Sequence, residues 1–216
     1  MDSEFGYLMG MLIAKGRINE KNSDYYISIE SSDGNLDSII SRIFILCNMP
    51  YKVIERKRLS PGKVHTSKLF IVRGKLYVEK LKSYEVSTGR REWDIPSRAY
   101  ISRDFRIGFL QAMFDFAGNI RYRLKGRQKC RSIRISSINS KGLESVKKLI
   151  EMEGIKSYIY KNGKTNILEI DGKNNVSIFV KKIGFTHRQK NELVKTILDP
   201  VKFDKLISQG SRQISI

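Results

Sequence analysis

Cysteine is almost absent from this chain of 216 residues, which has only Cys47 and Cys130, one in each half. Two isolated cysteines form neither a clustered zinc motif nor the disulfide framework of a small secreted domain. Both are expected to be reduced packing residues. A chain of this length with 40% hydrophobic residues can instead build ordinary buried cores.

Long apolar runs are also missing, since no segment approaches the roughly 18 uninterrupted apolar residues that a membrane helix needs. The first residues, Met1-Asp2-Ser3-Glu4, lack the basic flank of a signal peptide. The sequence therefore predicts an intracellular protein, cytoplasmic or associated with the nucleoid, with no membrane partner.

Acidic residues are scarce relative to basic ones, 22 against 41, which gives a net charge of +19 and a pI near 10.0. Residues 1–103 hold 18 basic and 12 acidic side chains, a net of +6, and residues 104–216 hold 23 and 10, a net of +13. Enzymes that act on neutral metabolites seldom need such a field. The expected partner is a polyanion, nucleic acid above all.

The first half of the chain predicts a helix, two strands, a second helix, two more strands and a short helix. The corresponding residues are 4–14, 17–21, 25–31, 36–46, 51–59, 64–72 and 75–84. The helix at 4–14 has almost no polar face, so it is expected to be buried on all sides.

The second half repeats this order, which indicates an internal duplication. A helix ending at residue 117 precedes strands near 119–124 and 129–136, a helix at 143–152, strands near 156–161 and 166–170, and further helices. We predict a first repeat at 1–84, a connector at 85–103, a second repeat at 104–200 and a C-terminal tail at 201–216. Trp93 and Ile95 are expected to anchor the connector.

Each repeat opens with an apolar helix that ends in glycine. The two segments are Leu8-Met9-Gly10-Met11-Leu12-Ile13-Ala14-Lys15-Gly16 and Leu110-Gln111-Ala112-Met113-Phe114-Asp115-Phe116-Ala117-Gly118. Both resemble the LAGLIDADG motif of homing endonucleases. The segment 95–110 also resembles the family's usual lead-in to a second motif, and residues 183–198 resemble its closing helix.

The resemblance implies an α+β monomer of two pseudo-symmetric αββαββα repeats, each with a curved antiparallel sheet. The two motif helices would pack together at the centre, where the small residues Gly10 and Ala112 allow a close approach. The alternative is an unrelated duplicated α+β protein with two buried helices.

The family's cleavage chemistry uses an acid immediately before the final glycine of each motif to bind divalent cations. Here those positions hold Lys15 and Ala117, and neither side chain can coordinate magnesium. Lys15 could instead donate to a phosphate oxygen. Asp115 lies two residues before Ala117, a spacing that points it to another side of the helix. We therefore expect no catalytic residues, no metal site and no cofactor, with Mg²⁺ required only if the protein is an endonuclease after all.

Other acidic residues and the two histidines show no catalytic spacing. Glu20 and Asp24 are interpreted as surface charges, and Asp104 as the N-cap of the second motif helix. His65 and His187 stand apart from any nucleophile or ligand pattern.

The resemblance implies that each sheet lies along the nucleic acid with alternate side chains facing it. In the first repeat the expected contacts are Lys15, Arg17, Asn19, Lys21, Tyr26, Ser28, Lys52, Arg56 and Arg58. In the second they are Asn119, Arg121, Arg123, Lys125, Arg127, Ser132, Arg134 and Ser136. Two such sheets would span about two turns of duplex. Basic residues that only protect a solvated sheet face from aggregation are the alternative.

The function that we expect is binding of nucleic acid, double-stranded DNA rather than RNA, without cleavage. Two alternatives remain. One is an active metal-dependent, site-specific DNA endonuclease with a rebuilt site, and the other is an RNA-binding splicing factor like the family's maturases. Tyr158 and Tyr160 share one strand face and suit either stacking on unpaired bases or ordinary packing.

Overall fold

The computed structural model describes residues 2–21, 23–86, 92–125 and 128–208. In the first repeat the elements follow the order predicted from the sequence. They are α1 (Asp2–Lys15), β1 (Gly16–Lys21), β2 (Asp24–Ser31), α2 (Gly34–Leu46), β3 (Lys52–Ser60), β4 (Lys63–Arg73) and α3 (Lys75–Lys82).

The second repeat has the same order and ends in additional helices. A short helix in the connector, α4 (Arg98–Ile101), precedes its elements, which are α5 (Arg103–Ala117), β5 (Gly118–Lys125), β6 (Gln128–Ser137), α6 (Ser140–Met152), β7 (Tyr158–Asn162), β8 (Thr165–Asp171), α7 (Lys173–Lys182), α8 (Arg188–Leu198) and α9 (Pro200–Ser208). The described part of the chain contains no helix long and apolar enough to cross a membrane.

The strands form two four-stranded antiparallel sheets with the same topology. The first has the order β1-β2-β4-β3 and the second β5-β6-β8-β7. The predicted fold class, α+β with one curved antiparallel sheet in each repeat, is confirmed.

The two motif helices, α1 and α5, pack against each other at the centre. Gly6 and Gly108 lie 102 residues apart, as the two motifs do. A Cβ atom at Gly6 would clash with the carbonyl oxygen of Phe105, and one at Gly108 would clash with that of Ser3, which lies 102 residues before Phe105. The contact is thus reciprocal, as a pseudo-twofold axis requires. Gly10 lies against Ala112, where an added Cβ would be 3.0 Å from the alanine Cβ.

Each sheet turns one face toward the helices and leaves the other open. Ile27 and Ile29 on β2, and Ile133 and Ile135 on β6, are buried beneath the helices. Because side chains alternate along a strand, Ser28 points to the open face of the first sheet and Arg134 to the open face of the second. The helices α1 and α5 pack against each other and contribute many of the buried residues of the hydrophobic core.

The start of α5 differs from the sequence-based expectation, and the anchor of the connector agrees with it. The N-cap of α5 is Ser102, whose side chain accepts from the Phe105 amide, so assigning the cap to Asp104 was wrong. The connector is anchored as predicted, because Trp93 and Ile95 are buried and Asn139 donates to the Trp93 carbonyl at 2.6 Å. Part of the connector, residues 87–91, lies outside the described residues.

The segment assigned to a tail begins with a helix, α9. Phe203 is fully buried, with the guanidinium of Arg131 4.8 Å from its ring centre. Lys129 forms an ion pair with Asp204 at 2.6 Å. The start of this segment therefore packs against the second repeat, while residues 209–216 lie outside the described residues.

Candidate nucleic-acid interface

The open face of the first sheet carries the side chains that alternation predicted for it. Cross-strand partners share a face, and the register pairs Arg17 with Ser28, Asn19 with Tyr26 and Lys21 with Asp24. On the other edge, the same face holds Lys52 opposite Ile71, Arg56 opposite Ser67 and Arg58 opposite His65. All eight strand positions predicted in this repeat therefore lie on one face.

The second sheet has an equivalent open face. Its register pairs Asn119 with Arg134, Arg121 with Ser132 and Arg123 with Cys130. Ser136 pairs with Ile167 on the same face. The side chain of Lys125 and the whole of Arg127 lie outside the described residues.

The predicted basic residues differ in how freely they can meet a ligand. No described carboxylate forms an ion pair with Arg17, Lys21, Lys52, Arg121 or Arg123. These five side chains can therefore offer their charge outward.

Three more of the predicted basic side chains on the strands form ion pairs within the protein. Glu30 forms ion pairs with Arg58 at 3.2 Å and with Arg56 at 3.6 Å. Arg134 forms a short ion pair with Glu169 at 2.5 Å. Ligand contacts from these three arginines would have to compete with the internal carboxylates.

Two predicted contacts, Ser28 and Ser132, are buried although they point toward the open faces. Their exposed fractions are 6% and 3%. A ligand on either face would meet the neighbouring longer side chains before it met these hydroxyls.

The motif ends at the molecular centre hold the residues that the sequence places there. Lys15, the last residue of α1, is exposed, and Ala117, the last residue of α5, is half-buried. An ammonium group and a methyl group supply no oxygen ligand for a hard divalent cation. The residues at these two positions therefore do not fit the metal site of a cleaving LAGLIDADG enzyme.

Lys190, on the closing helix α8, places a cation at the end of the second motif helix. Its Nζ donates to the carbonyl oxygens of Phe114 at 3.1 Å, Asp115 at 2.6 Å and Gly118 at 2.6 Å. Only 4% of the residue is exposed. Burial lowers the pKa of Lys190 to about 8, with the nearby charge of Lys15 acting in the same direction.

Asp115 is a structural residue that joins α5 to the loop before α8. Its carboxylate accepts from the Tyr7 hydroxyl at 2.6 Å and from the Thr186 and His187 amides at 3.1 Å each. Burial raises its pKa despite these bonds. Asp115 is 1% exposed, so its carboxylate is engaged inside the protein.

His187 joins the two repeats. Its Nε2 lies 2.9 Å from a carboxylate oxygen of Asp33, the N-cap residue of α2, and its Nδ1 accepts from the Lys190 amide at 3.4 Å. The side chain is buried. The sequence gives no signal for this contact, because Asp33 lies 154 residues away along the chain.

The remaining acids considered from the sequence have surface roles. Glu20 forms an ion pair with Lys82, and Asp24 pairs with Arg73 at 2.8 Å. Asp104 is exposed in the first turn of α5. Within residues 2–21, 23–86, 92–125 and 128–208, no three His, Cys, Asp or Glu side chains cluster as ligands for a metal ion.

A concavity of about 530 Å³ lies on the open face of the second sheet. Arg121 and Arg123 form one side, and Tyr158 and Tyr160 on β7 form the other, with Glu169 between them. Burial opposes ionisation of Glu169, but the adjacent Arg134 guanidinium holds the pKa of this carboxyl below its usual range. The sequence gives no signal for Glu169, because a lone acid in a strand has no characteristic spacing.

Comparison with known proteins agrees with this geometry. Residues 104–184, most of the second repeat, match the family described as the LAGLIDADG-like domain. The second repeat is therefore similar to this family over 81 residues. No curated protein sequence matches it.

Solved LAGLIDADG structures share the fold across nearly the whole chain. The homing endonuclease I-WcaI bound to its DNA recognition sequence is 14% identical, with a TM-score of 0.64, and the match covers 88% of this chain and 86% of that one. I-DmoI in complex with DNA and Mn is 17% identical, with a TM-score of 0.60 and coverages of 85% and 97%. Full-length DUF199/WhiA from Thermatoga maritima is 14% identical, with a TM-score of 0.60 and coverages of 97% and 66%. At these identities the likeness establishes the fold alone.

Proposed function

We propose that this LAGLIDADG protein binds double-stranded DNA across its two open sheet faces and does not cleave it. The observation that carries the proposal is the set of five basic side chains that lie on these faces without a carboxylate partner among the described residues. They are Arg17, Lys21, Lys52, Arg121 and Arg123.

The arrangement on the sheets suits a duplex. Two similar faces related by a pseudo-twofold axis match the repeating phosphates of a helix, as in dimeric readers. Arginine clamps phosphates and reads guanine edges in the major groove through two parallel hydrogen bonds. The relatives I-WcaI and I-DmoI, which share the fold, were solved with DNA.

The absence of cleavage follows from the residues at the motif ends. Hydrolysis of a phosphodiester in this family needs oxygen ligands for metal ions between the two motifs. Lys15 and Ala117 supply none, and the exposed ammonium of Lys15 would repel a divalent cation while attracting a phosphate oxygen. We infer that the centre of the protein contacts the DNA backbone and leaves it intact.

Substitution of the second-sheet arginines tests the binding surface. Arg121→Ala with Arg123→Ala should weaken binding to a mixed-sequence duplex of about two turns. It should also reduce the magnitude of the slope of log K against log[salt] by roughly 2, because a protein with two fewer phosphate contacts releases fewer counterions. Fluorescence anisotropy across a salt series measures both quantities.

Lys148→Ala with Lys195→Ala provides the matched control. Both lysines are exposed on the helices α6 and α8, so this variant loses the same two charges away from the open faces. Its affinity and salt slope should remain near those of the unmodified protein. Equal losses in the two variants would show that binding depends on net charge alone, which would remove β5 from the interface.

A further inference from the structure

The open face of the second sheet differs from that of the first at equivalent register positions. In the first sheet, the edge-strand residue Lys52 pairs with Ile71, and Ile54 pairs with Leu69. In the second, Tyr158 pairs with Glu169 and Tyr160 pairs with Ile167. The fold forms with either set of residues, so it does not require the aromatic pair.

Tyr158 and Tyr160 form an aromatic wall along the edge strand β7. Their rings are stacked, with centroids 5.8 Å apart and an angle of 29° between the planes. Tyr158 is 46% exposed, which is unusual for an aromatic side chain that serves only to pack. Exposed aromatic rings on a sheet are the usual platforms on which proteins stack unpaired bases.

Polar contacts hold this wall in place before any ligand binds. Tyr158 lies opposite the buried Glu169 in the strand register, and burial together with this carboxylate raises the pKa of its hydroxyl. The same carboxylate forms an ion pair with Arg134, whose guanidinium lies 5.9 Å from the centre of the Tyr160 ring. Fixed rings lose little conformational freedom when a base stacks on them.

The opposite side of the concavity can hold the backbone that carries such a base. Arg121 and Arg123 project from β5 into the space and have no ion-pair partner among residues 2–21, 23–86, 92–125 and 128–208. Gln128 lines the same space and offers both a donor and an acceptor to a base edge. The volume of about 530 Å³ is ample for one base and its sugar.

We propose that the concavity on the second sheet receives one unpaired nucleobase, stacked on Tyr158 and Tyr160, while Arg121 and Arg123 hold its flanking phosphates. The inference rests on the proposed nucleic-acid binding and adds a preference within it. A bulged nucleotide in DNA and a loop nucleotide in RNA offer the same chemistry.

The test compares four labelled ligands by fluorescence anisotropy at one salt concentration. They are a fully paired DNA duplex, the same duplex with one bulged adenine, an RNA hairpin with an unpaired adenine in its loop, and the same RNA fully paired. We expect each unpaired ligand, or one of the two, to bind about tenfold more tightly than its paired counterpart, which is within the range of base–aromatic stacking. The ligand with the larger preference identifies the source of the base.

Three variants separate stacking from other effects. Tyr158→Ala with Tyr160→Ala should abolish the tenfold preference and leave the affinity for the paired duplex unchanged, which also shows that the variant is folded. Tyr158→Phe with Tyr160→Phe should retain the preference because the rings remain. Tyr100→Ala, which removes an exposed tyrosine from α4, should change neither affinity.

The outcomes distinguish this inference from the function on which it rests. Equal binding of paired and unpaired ligands, or a preference that survives loss of both tyrosines, would overturn the base site and leave nucleic-acid binding intact. No binding of any of the four ligands would instead overturn the proposed function itself.

Discussion

Lys190 shows how one side chain can take over the end of a motif helix. Its ammonium group donates to three carbonyl oxygens at the C-terminal end of α5. A cation at this end of a helix also interacts favourably with the helix dipole. Burial opposes the charge, as the lowered pKa indicates. Asp115 and Asp33 favour the charged form and Lys15 disfavours it. The end of the second motif is thus held by the protein's own cation.

This burial predicts a pH dependence of stability. The pKa of Lys190 is about 8 in the folded protein and 10.5 for an unperturbed lysine. Between these values the unfolded chain keeps a proton that the folded protein has released, so the Lys190 contribution to stability rises with pH. Relative to Lys190→Met, the unfolding free energy of the unmodified protein should increase by up to about 1.4 kcal/mol per pH unit. Urea denaturation of both proteins from pH 7.5 to 10 measures this difference. A constant difference over the range would mean that Lys190 is not desolvated.

At the scale of elements, the contact between α1 and α5 has the least tolerance for change. The added Cβ of Gly6→Ala would meet the backbone carbonyl of Phe105, which cannot rotate away. We expect a loss of about 3 kcal/mol or more in unfolding free energy, at the upper end of overpacking effects. Thermal and urea denaturation measure the loss.

Gly34→Ala is the matched control for this prediction. Gly34 begins α2 and is exposed, and nothing lies within 4 Å of a Cβ added there. Alanine should be neutral or stabilising by up to about 1 kcal/mol. Similar stabilities for Gly6→Ala and Gly34→Ala would contradict the close approach of the motif helices.

The elements themselves could be predicted from the sequence because their signals are local. Apolar alternation in Ile133 and Ile135 fixes which way Arg134 points, and a helix without a polar face has to be central. Contacts between distant segments have no such signal. The pairing of Arg134 with Glu169 depends on the register between β6 and β8, and the contact of His187 with Asp33 depends on how the two repeats pack.

At the scale of the whole molecule, both repeats have the same order of helices and strands, and their motif helices end in Lys15 and Ala117. Under the proposed function, aspartates at these two positions should create a metal site. Lys15→Asp with Ala117→Asp should create a site for divalent cations, which Tb³⁺ luminescence measures, and should lead to metal-dependent nicking of bound DNA. Lys15→Ala with Ala117→Ser, which supplies no carboxylate, should do neither. Failure of the double aspartate variant to bind a cation would contradict the placement of the two positions at one centre.

The charge is also divided unequally, with +13 on residues 104–216 against +6 on residues 1–103. Long-range attraction of a polyanion should therefore depend more on the second half. The same half holds the aromatic concavity and the match to the LAGLIDADG-like domain. We infer that the second repeat contributes more to affinity and selectivity, and the first mainly to the length of duplex covered.

The proposed binding of duplex DNA without cleavage can be tested in one titration. Labelled duplex DNA is incubated with the protein at several salt concentrations, with and without Mg²⁺, and each sample is run on native and denaturing gels. We expect a salt-sensitive shifted band whose strands remain full length in Mg²⁺. Metal-dependent fragments from the unmodified protein, or no shifted band at low salt, would contradict it.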